Sequence, residues 1–556
     1  MLTQPIGVYL NWSSYDELSD NVELTEELAL HQLDELIRLR KHGVDIEYYV
    51  MDAFWFAKDG GYRQWRKPHW KNGPDTWLQK CLDNDIKPGM WFGANNPAWM
   101  HPIEEWMDSF DPQTGCMCCF YGGFLPHYIE SLELWYEHGV RLFKLDFADF
   151  SAAPPGIKES LLPSEIRSAN VIAFRGALKA FRQRHPDALI IAYNGFEERS
   201  IQNTTDELLA KVMDTRWLEV FDTIYCGDAR PSDVPAMNFW RSKDIYSDHM
   251  VRQYERNNLP LQRIDNAGFM IGTTGTCYYR GKEAWRGMLI LSLARGGLNN
   301  TYYGNLDLLS DEDARWLATV QKAFFDIHRS GGNTESFGGL PGAAEIYGFI
   351  SANAKGGLIS VVNPSQEFKT ISLPTTETSS LLFTDSGFEP LIKNSEITLG
   401  AEQMALLAYG DAMQPDFGQE MDISIPETIT KLDISFEKVD EKSIRAEYQA
   451  NDAGIIRVIL RQVNAQGRAV RSYGGSPPEG KTLAELLRIE AEQAGEKIPI
   501  TINYDRAVWS GLSWAAGEIS ISDCSKPVFI SCSTTEKQDI HLEASLYLVS
   551  YASREK

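Results

Sequence analysis

The stretch Arg141-Leu142-Phe143-Lys144-Leu145-Asp146-Phe147 reads as a buried β-strand whose C-terminal end is broken by a lysine and an aspartate. Side chains alternate between the two faces of a strand, so Lys144 and Asp146 share one face. Opposite charges two residues apart at the end of an apolar strand are either an ion pair closing that strand or groups that face a cleft. The segments on either side bear on which.

Upstream, residues 6–12 (Ile-Gly-Val-Tyr-Leu-Asn-Trp) read as a first strand. A helical pattern follows, with Leu28, Leu30, Leu33, Ile37 and Leu39 on its apolar face and Gly43 where a helix would stop. Ile46–Asp52 is a second strand, Pro74–Cys81 opens a second helix, and Lys87–Gly93 is a third strand. A long loop and a helix near His127–His138 lead into the stretch quoted above, which is strand four. Downstream, helix Glu165–Arg184 precedes strand five at Ala188–Asn194, and a helix around Glu207–Trp217 precedes strand six at Thr223–Asp228. Helix Trp240–Arg256 precedes strand seven at Leu261–Asp265, and helix Glu283–Ala294 precedes strand eight at Leu298–Tyr303. Helix Asp311–His328 closes the series, with Ser310 as its N-cap.

Eight alternations of strand and helix predict an α/β fold, a (β/α)8 or TIM barrel. The strands end on Asn11 and Trp12, Asp52, Trp91, Asp146, Asn194, Asp228 and Asp265, and C-terminal strand ends line the active site of such barrels. A structural role explains one or two of these residues, but seven ends on one rim point to a site.

Beyond residue 330 short apolar runs separated by Gly, Pro and Asn predict a C-terminal antiparallel β-sandwich. The expected domains are a barrel over 1–330, a β-sandwich over 331–411 and a second β-rich domain over 412–556, the last carrying one amphipathic helix near Leu483–Ala494. With 556 residues the chain is too long for one core. A net charge of -24 argues against nucleic-acid partners. No apolar run is long enough to span a bilayer, and no membrane partner is expected. Homo-oligomerisation is left open. The N-terminus shows no basic segment before an apolar core, so a cytoplasmic location is expected, although a trimmed secretory signal would leave the same start. Cys116, Cys118 and Cys119 cluster without a matching Cys or His pair at metal spacing and read as reduced thiols.

Four stretches resemble the α-galactosidase (melibiase) clan of retaining glycoside hydrolases, families 27, 36 and 31, with family 36 nearest. Pro5-Ile-Gly-Val-Tyr-Leu-Asn-Trp12 is similar to the opening strand of family 27. Val50-Met-Asp-Ala-Phe-Trp55 resembles the Asp-Asp-Gly-Trp strand end that holds sugar hydroxyls. Lys144-Leu-Asp146 is similar to the Lys-x-Asp strand that carries the nucleophile, and Arg230-Pro-Ser-Asp233 to the Arg-x-Ser-Asp turn that carries the acid/base. The resemblance covers about the first 330 residues and implies a retaining, exo-acting α-glycosidase, foremost an α-galactosidase. Met51 stands where the clan has the first of its paired aspartates, which weakens the case for galactose.

This chemistry needs two carboxyls about 5–5.5 Å apart, one to attack the anomeric carbon and one to protonate the departing oxygen. The resemblance assigns Asp146 to attack, with Lys144 beside it keeping the carboxylate ionised. For the acid/base, Asp233 fits the turn, with Arg230 placed to hold a sugar hydroxyl. Asp228 ends strand six, and Asp244 in Trp240-Arg-Ser-Lys-Asp-Ile resembles a family 27 motif one residue short, although that stretch also reads as a helix start. Trp12, Asp52, Trp91, Asn194 and Asp265 are candidates to hold the sugar of an oligosaccharide or glycoside substrate.

Three other readings compete. Transfer of the glycosyl group to a sugar acceptor, as in raffinose-synthase-like relatives, needs the same residues. A non-catalytic carbohydrate-binding protein on a decayed barrel predicts a missing carboxyl, and both are present. Gly475-Ser-Pro-Pro-Glu-Gly-Lys481-Thr482 has the spacing of a phosphate loop, but Pro477 and Pro478 lack the N–H groups that would cradle phosphate. No cofactor and no metal is expected, since no motif for either occurs.

Overall fold

The computed structural model describes residues 1–551 apart from 13–23, 54, 99, 198–212, 227–244, 266–268, 272–284, 344, 366–368, 385–389, 401–402, 414–416, 418–425, 466–485, 503–513 and 536–539. The first 330 residues form the barrel. Its strands and main helices in chain order are β1 (Ile6–Leu10), α1 (Glu26–Lys41), β2 (Tyr48–Met51), α2 (Asp75–Asp83), β3 (Lys87–Gly93), α3 (Phe124–Glu137), β4 (Leu142–Asp146), α4 (Pro163–Arg184) and β5 (Leu189–Ala192). There follow β6 (Thr223–Tyr225), α5 (Ile245–Arg256), β7 (Ile264–Asp265), β8 (Phe269–Ile271), α6 (Trp285–Ala294), β9 (Asn299–Gly304) and α7 (Asp311–Arg329).

The strands pair in parallel in the order β8-β9-β1-β2-β3-β4-β5-β6-β7. The two edges, β7 and β8, are successive pieces of one short segment, so the sheet curls back on itself in a nearly closed barrel. Strand seven is therefore two short pieces rather than the expected run over Leu261–Asp265. Pro260 has no N–H to give a ladder, and Leu261–Arg263 turns as a 3-10 helix. Of the helix expected around Glu207–Trp217, residues 207–212 lie outside the described residues, and the described end carries a 3-10 turn at Thr215–Glu219.

Period-two alternation sorts the strand side chains. Ile6, Val8, Leu10, Tyr48, Val50, Leu142, Leu189, Ile191, Tyr193, Tyr225 and Tyr303 fill the inside of the barrel as one cluster. Tyr9, Tyr49, Met51, Met90, Phe143, Leu145 and Ile190 point outward into the larger core shared with the helices. Lys144 and Asp146 follow Leu142 on the inner face. The helices are held by ordinary end chemistry. Ser310 caps α7 by accepting from Asp313 N while the Asp313 carboxylate accepts from Ser310 N, a capping box.

Beyond the barrel all sheets are antiparallel. Strands Asn333–Gly338, Tyr347–Asn353, Gly356–Val362, Met404–Gly410 and Ser380–Thr384 form a five-stranded sheet next to the three-stranded sheet Lys369–Ser372, Glu396–Leu399, Leu391–Lys393. Tyr347, Phe349, Leu358 and Met404 join the barrel's outer core. Asp248 on α5 accepts from Arg295 at 2.5 Å and from the Tyr347 hydroxyl, tying sheet to barrel. Between Pro426 and Tyr551 two further five-stranded sheets enclose a separate core that includes Ile456, Leu460, Ile489 and Ile530.

The amphipathic helix expected near Leu483–Ala494 is a strand instead, Leu487–Gln493. Leu487, Ile489 and Ala491 are buried while Arg488, Glu490 and Glu492 are exposed, a period of two. Pairing along its whole length with Val528–Thr534 overrides the helix propensity of its Leu, Glu, Ala and Gln.

Among the described residues no helix is long and apolar enough to cross a membrane. Cys116, Cys118 and Cys119 are buried free thiols, and burial raises the pKa of each, as expected of unreactive cysteines. A cleft of about 570 Å³ opens at the N-terminal ends of β3 and β4, lined by Tyr48, Leu82, Lys87, Arg141 and Asp187 among others. It lies at the opposite end of the barrel from Asp146.

Candidate active site

Asp146 is the last residue of β4 and is buried. In the ladder it stands opposite Gly93, which brings no side chain, and Lys144 stands opposite Trp91. The carboxylate is held from three directions. Oδ1 accepts from Phe147 N at 2.9 Å and from both Asn194 N and Asn194 Nδ2 at 3.0 Å. Oδ2 accepts from Trp91 Nε1 at 3.1 Å. Oδ1 carries three donors and Oδ2 one, so Oδ2 has the lone pairs to spare for a reacting atom.

The backbone beyond Asp146 turns sharply. Phe147 sits at φ 52°, a left-handed conformation costly for a bulky side chain. Asn96 N donating to Phe147 O and Ala148 N donating to Asn194 O hold it there. Gly195, at φ 97°, completes the fit, since a Cβ there would lie 2.0 Å from Ala148 O.

Lys144 does not pair with Asp146. Its ammonium donates to Asp52 Oδ2 at 2.7 Å, in a pair whose side chains are 5% and 3% exposed. Asp52 is oriented by its neighbours: Asn11 Oδ1 accepts from Asp52 N at 2.8 Å, and Asp52 Oδ1 accepts from Ala53 N at 2.9 Å. Burial raises the pKa of the Asp146 carboxyl. The Lys144 charge, the Trp91 indole and the Asn194 amide work against that without cancelling it, and the Asp52 charge adds to it. Lys144 thus moderates the pKa of Asp146 rather than setting it low.

Asp265, expected at the rim, lies inside the barrel, fully buried, with both oxygens engaged. Oδ1 accepts from Thr301 Oγ1 at 2.8 Å, and Oδ2 from Asn299 Nδ2 at 2.9 Å and Tyr193 OH at 3.1 Å. Burial pushes its pKa from 3.8 up to about 6 against those donors. Between those values the folded chain keeps a proton that the unfolded chain releases, so this group's contribution to stability falls as pH rises through that window.

Trp12 is half-buried beside the inner cluster, and Trp91 stacks on Phe56 with centroids 5.6 Å apart. The structure thus brings Asp52, Trp91, Lys144, Asp146 and Asn194 together at the C-terminal ends of β2 to β5. Asp228, Arg230, Asp233 and Asp244 lie outside the described residues, as does the 475–482 segment. Two residues escaped sequence reasoning. Tyr193 reads as core in an apolar run, and Glu197, buried with its Oε2 accepting from Gly195 N at 3.0 Å, follows a strand end already represented by Asn194. The Met51 side chain packs outward among the helices and accepts from Asn11 Nδ2, so a residue in its place faces away from the barrel interior.

Fold and strand-end residues define a (β/α)8 barrel with a buried carboxylate at the mouth of strand four, followed by antiparallel sheets. No protein-family model matches the chain, and no curated protein matches it by sequence. Solved structures match by fold. The galactosidase domain of an α-galactosidase–sucrose kinase, AgaSK, is 12% identical at a TM-score of 0.50, over 74% of this chain and 55% of that one. A GH36 α-galactosidase, AgaA from Geobacillus stearothermophilus in complex with stachyose, is 12% identical at a TM-score of 0.50, over 73% of this chain and 56% of that one. The chain spans a little over half the length of these relatives, and at this identity the likeness is one of fold.

Proposed function

We propose that the chain is a retaining, exo-acting α-glycosidase, with α-galactosides as its first substrate class. The observation that carries this reading is the Asp146 carboxylate, buried at the end of β4, fixed by four donors and flanked by the Lys144–Asp52 pair at the barrel mouth. Asp146 Oδ2 attacks the anomeric carbon while a second carboxyl protonates the glycosidic oxygen, and the aglycone leaves with that proton. The same carboxyl, now ionised, takes a proton from water, which attacks the anomeric carbon and releases Asp146. Asp233 is the first candidate for the acid/base, with Asp228 and Asp244 after it. Asp52, Lys144 and Asn194 take sugar hydroxyls with Arg230, and Trp12 and Trp91 offer rings to the sugar's apolar face.

A panel of 4-nitrophenyl α- and β-glycosides tests the proposal. Turnover is expected on the α-galactoside above the others, with the α-anomer of the free sugar appearing first by NMR. Turnover of none, or first release of the β-anomer, refutes it. Replacing Asp228, Asp233 and Asp244 singly identifies the acid, because only its loss spares substrates whose leaving group needs no proton.

The raised pKa of Asp146 adds a pH prediction. The carboxyl must be ionised to attack, so the acid limb of kcat/KM is expected above the ordinary carboxylate range. Trp91→Phe removes a donor to the charged form and should move that limb to higher pH. A limb that stays in place would show that the limb reports another group.

A further inference from the structure

We infer that Tyr193 is a positioning residue for the Lys144 ammonium, anchored from inside the barrel by Asp265 and Tyr303. A lysine carries a compact charge on a flexible stem, and its one hydrogen bond among the described residues, to Asp52, fixes a distance but not a direction. The second constraint is an aromatic face: Lys144 Nζ lies 4.1 Å from the centroid of the Tyr193 ring, where both groups are buried. A desolvated cation over a ring face is among the stronger contacts of this kind.

The ring is itself immobilised at both its edge and its face. Its hydroxyl donates to Asp265 Oδ2 at 3.1 Å and lies 2.8 Å from the Tyr303 hydroxyl. Its plane stacks on Tyr225 with centroids 4.2 Å apart and 12° between planes. Thr301 and Asn299 hold the Asp265 carboxyl in turn. Asp265 therefore serves the site through Tyr193 and Lys144 rather than by touching a sugar. The arrangement leaves donors on Lys144 for a ligand hydroxyl, in a direction set by Tyr193, which does not itself reach the ligand.

The kinetic arm of the test rests on the proposed glycosidase reading; the spectroscopic arm does not. With 4-nitrophenyl α-galactoside, Tyr193→Leu should raise KM by about tenfold or more while kcat stays within about threefold, because a displaced Lys144 weakens binding of the sugar in ground and transition states alike. Tyr193→Phe keeps the ring and should recover most of that loss. A merely structural role would lower the active fraction, and so kcat, with KM unmoved; that result, or equal KM values for the two variants, overturns the inference.

The second arm labels lysine side chains with ¹³C at Cε and assigns Lys144 by the signal lost in Lys144→Arg. Its ε-protons should resonate upfield in the wild type and Tyr193→Phe, shifted by the ring current, and return to the ordinary lysine position in Tyr193→Leu. An unshifted wild-type signal overturns the inference even if Tyr193→Leu fails to fold. Should the wild type turn over no nitrophenyl glycoside, the functional reading falls and this arm still decides the Lys144–Tyr193 contact.

Discussion

Asp146→Ala is expected to lower turnover of the best nitrophenyl α-glycoside by about 10⁴-fold or more, the scale of removing one member of a catalytic unit that works only when complete. The wild-type carboxylate accepts four hydrogen bonds, from Trp91, Phe147 and twice from Asn194. Removing it leaves those donors to water that takes the place of the carboxylate. The fold should therefore persist, and a circular dichroism spectrum unchanged from wild type checks that the loss is chemical. A stronger check uses azide. With the side chain gone, a small anion can occupy its place and attack the anomeric carbon of an activated substrate from the same face, giving a glycosyl azide of inverted configuration. Near-normal hydrolysis by Asp146→Ala would remove Asp146 from the mechanism. Loss of activity with neither rescue nor an azide product would leave it as a binding residue only.

How far the sequence reaches can be judged element by element. The strand Lys87–Gly93 is as expected to the residue, because a continuous apolar run bounded by a charge and a glycine admits little else. Lys144 and Asp146 do share a face, since alternation along a strand is a local property. What fails is non-local or depends on competing tendencies. The partner of Lys144 is Asp52, the residue after β2, reached across β3, and no spacing along the chain reveals that contact. Tyr193 inside the expected strand Ala188–Asn194 looks like any core aromatic until Lys144 and Asp265 are brought to its face and its edge. Strand seven starts only at Ile264 because Leu261–Arg263, following Pro260, turns as a 3-10 helix instead of extending. At Leu487–Gln493 the helix-forming composition is real but loses to pairing with Val528–Thr534, and the period of two is the better guide. Asp228, Asp233 and Asp244 stay with the sequence argument alone.

Lys144→Met is expected to destabilise the barrel by about 3–5 kcal/mol, the usual cost of stranding one charge of a buried pair. The Lys144 and Asp52 side chains are 5% and 3% exposed, so water cannot take over the role of either without opening the structure. Among the described residues the Asp52 carboxylate keeps only the hydrogen bond from Ala53 N, which is too little for a buried carboxylate. Thirteen of the fifteen tryptophans precede residue 330, so tryptophan fluorescence during urea unfolding follows the barrel, and the midpoint should fall clearly in the single variant. Lys144→Met/Asp52→Asn removes the stranded charge while an amide oxygen still accepts from Ala53 N, and most of the lost stability should return. Activity should not, because the sugar has lost both partners. The Asp146 carboxyl supplies a second readout: without the Lys144 charge its pKa rises further, and any remaining acid limb moves to higher pH. Equal midpoints for the single and double variants would mean that the lysine stem, by its packing, stabilises the barrel and that the pair's charge does not. A double variant as active as wild type would take the Lys144–Asp52 pair out of substrate binding.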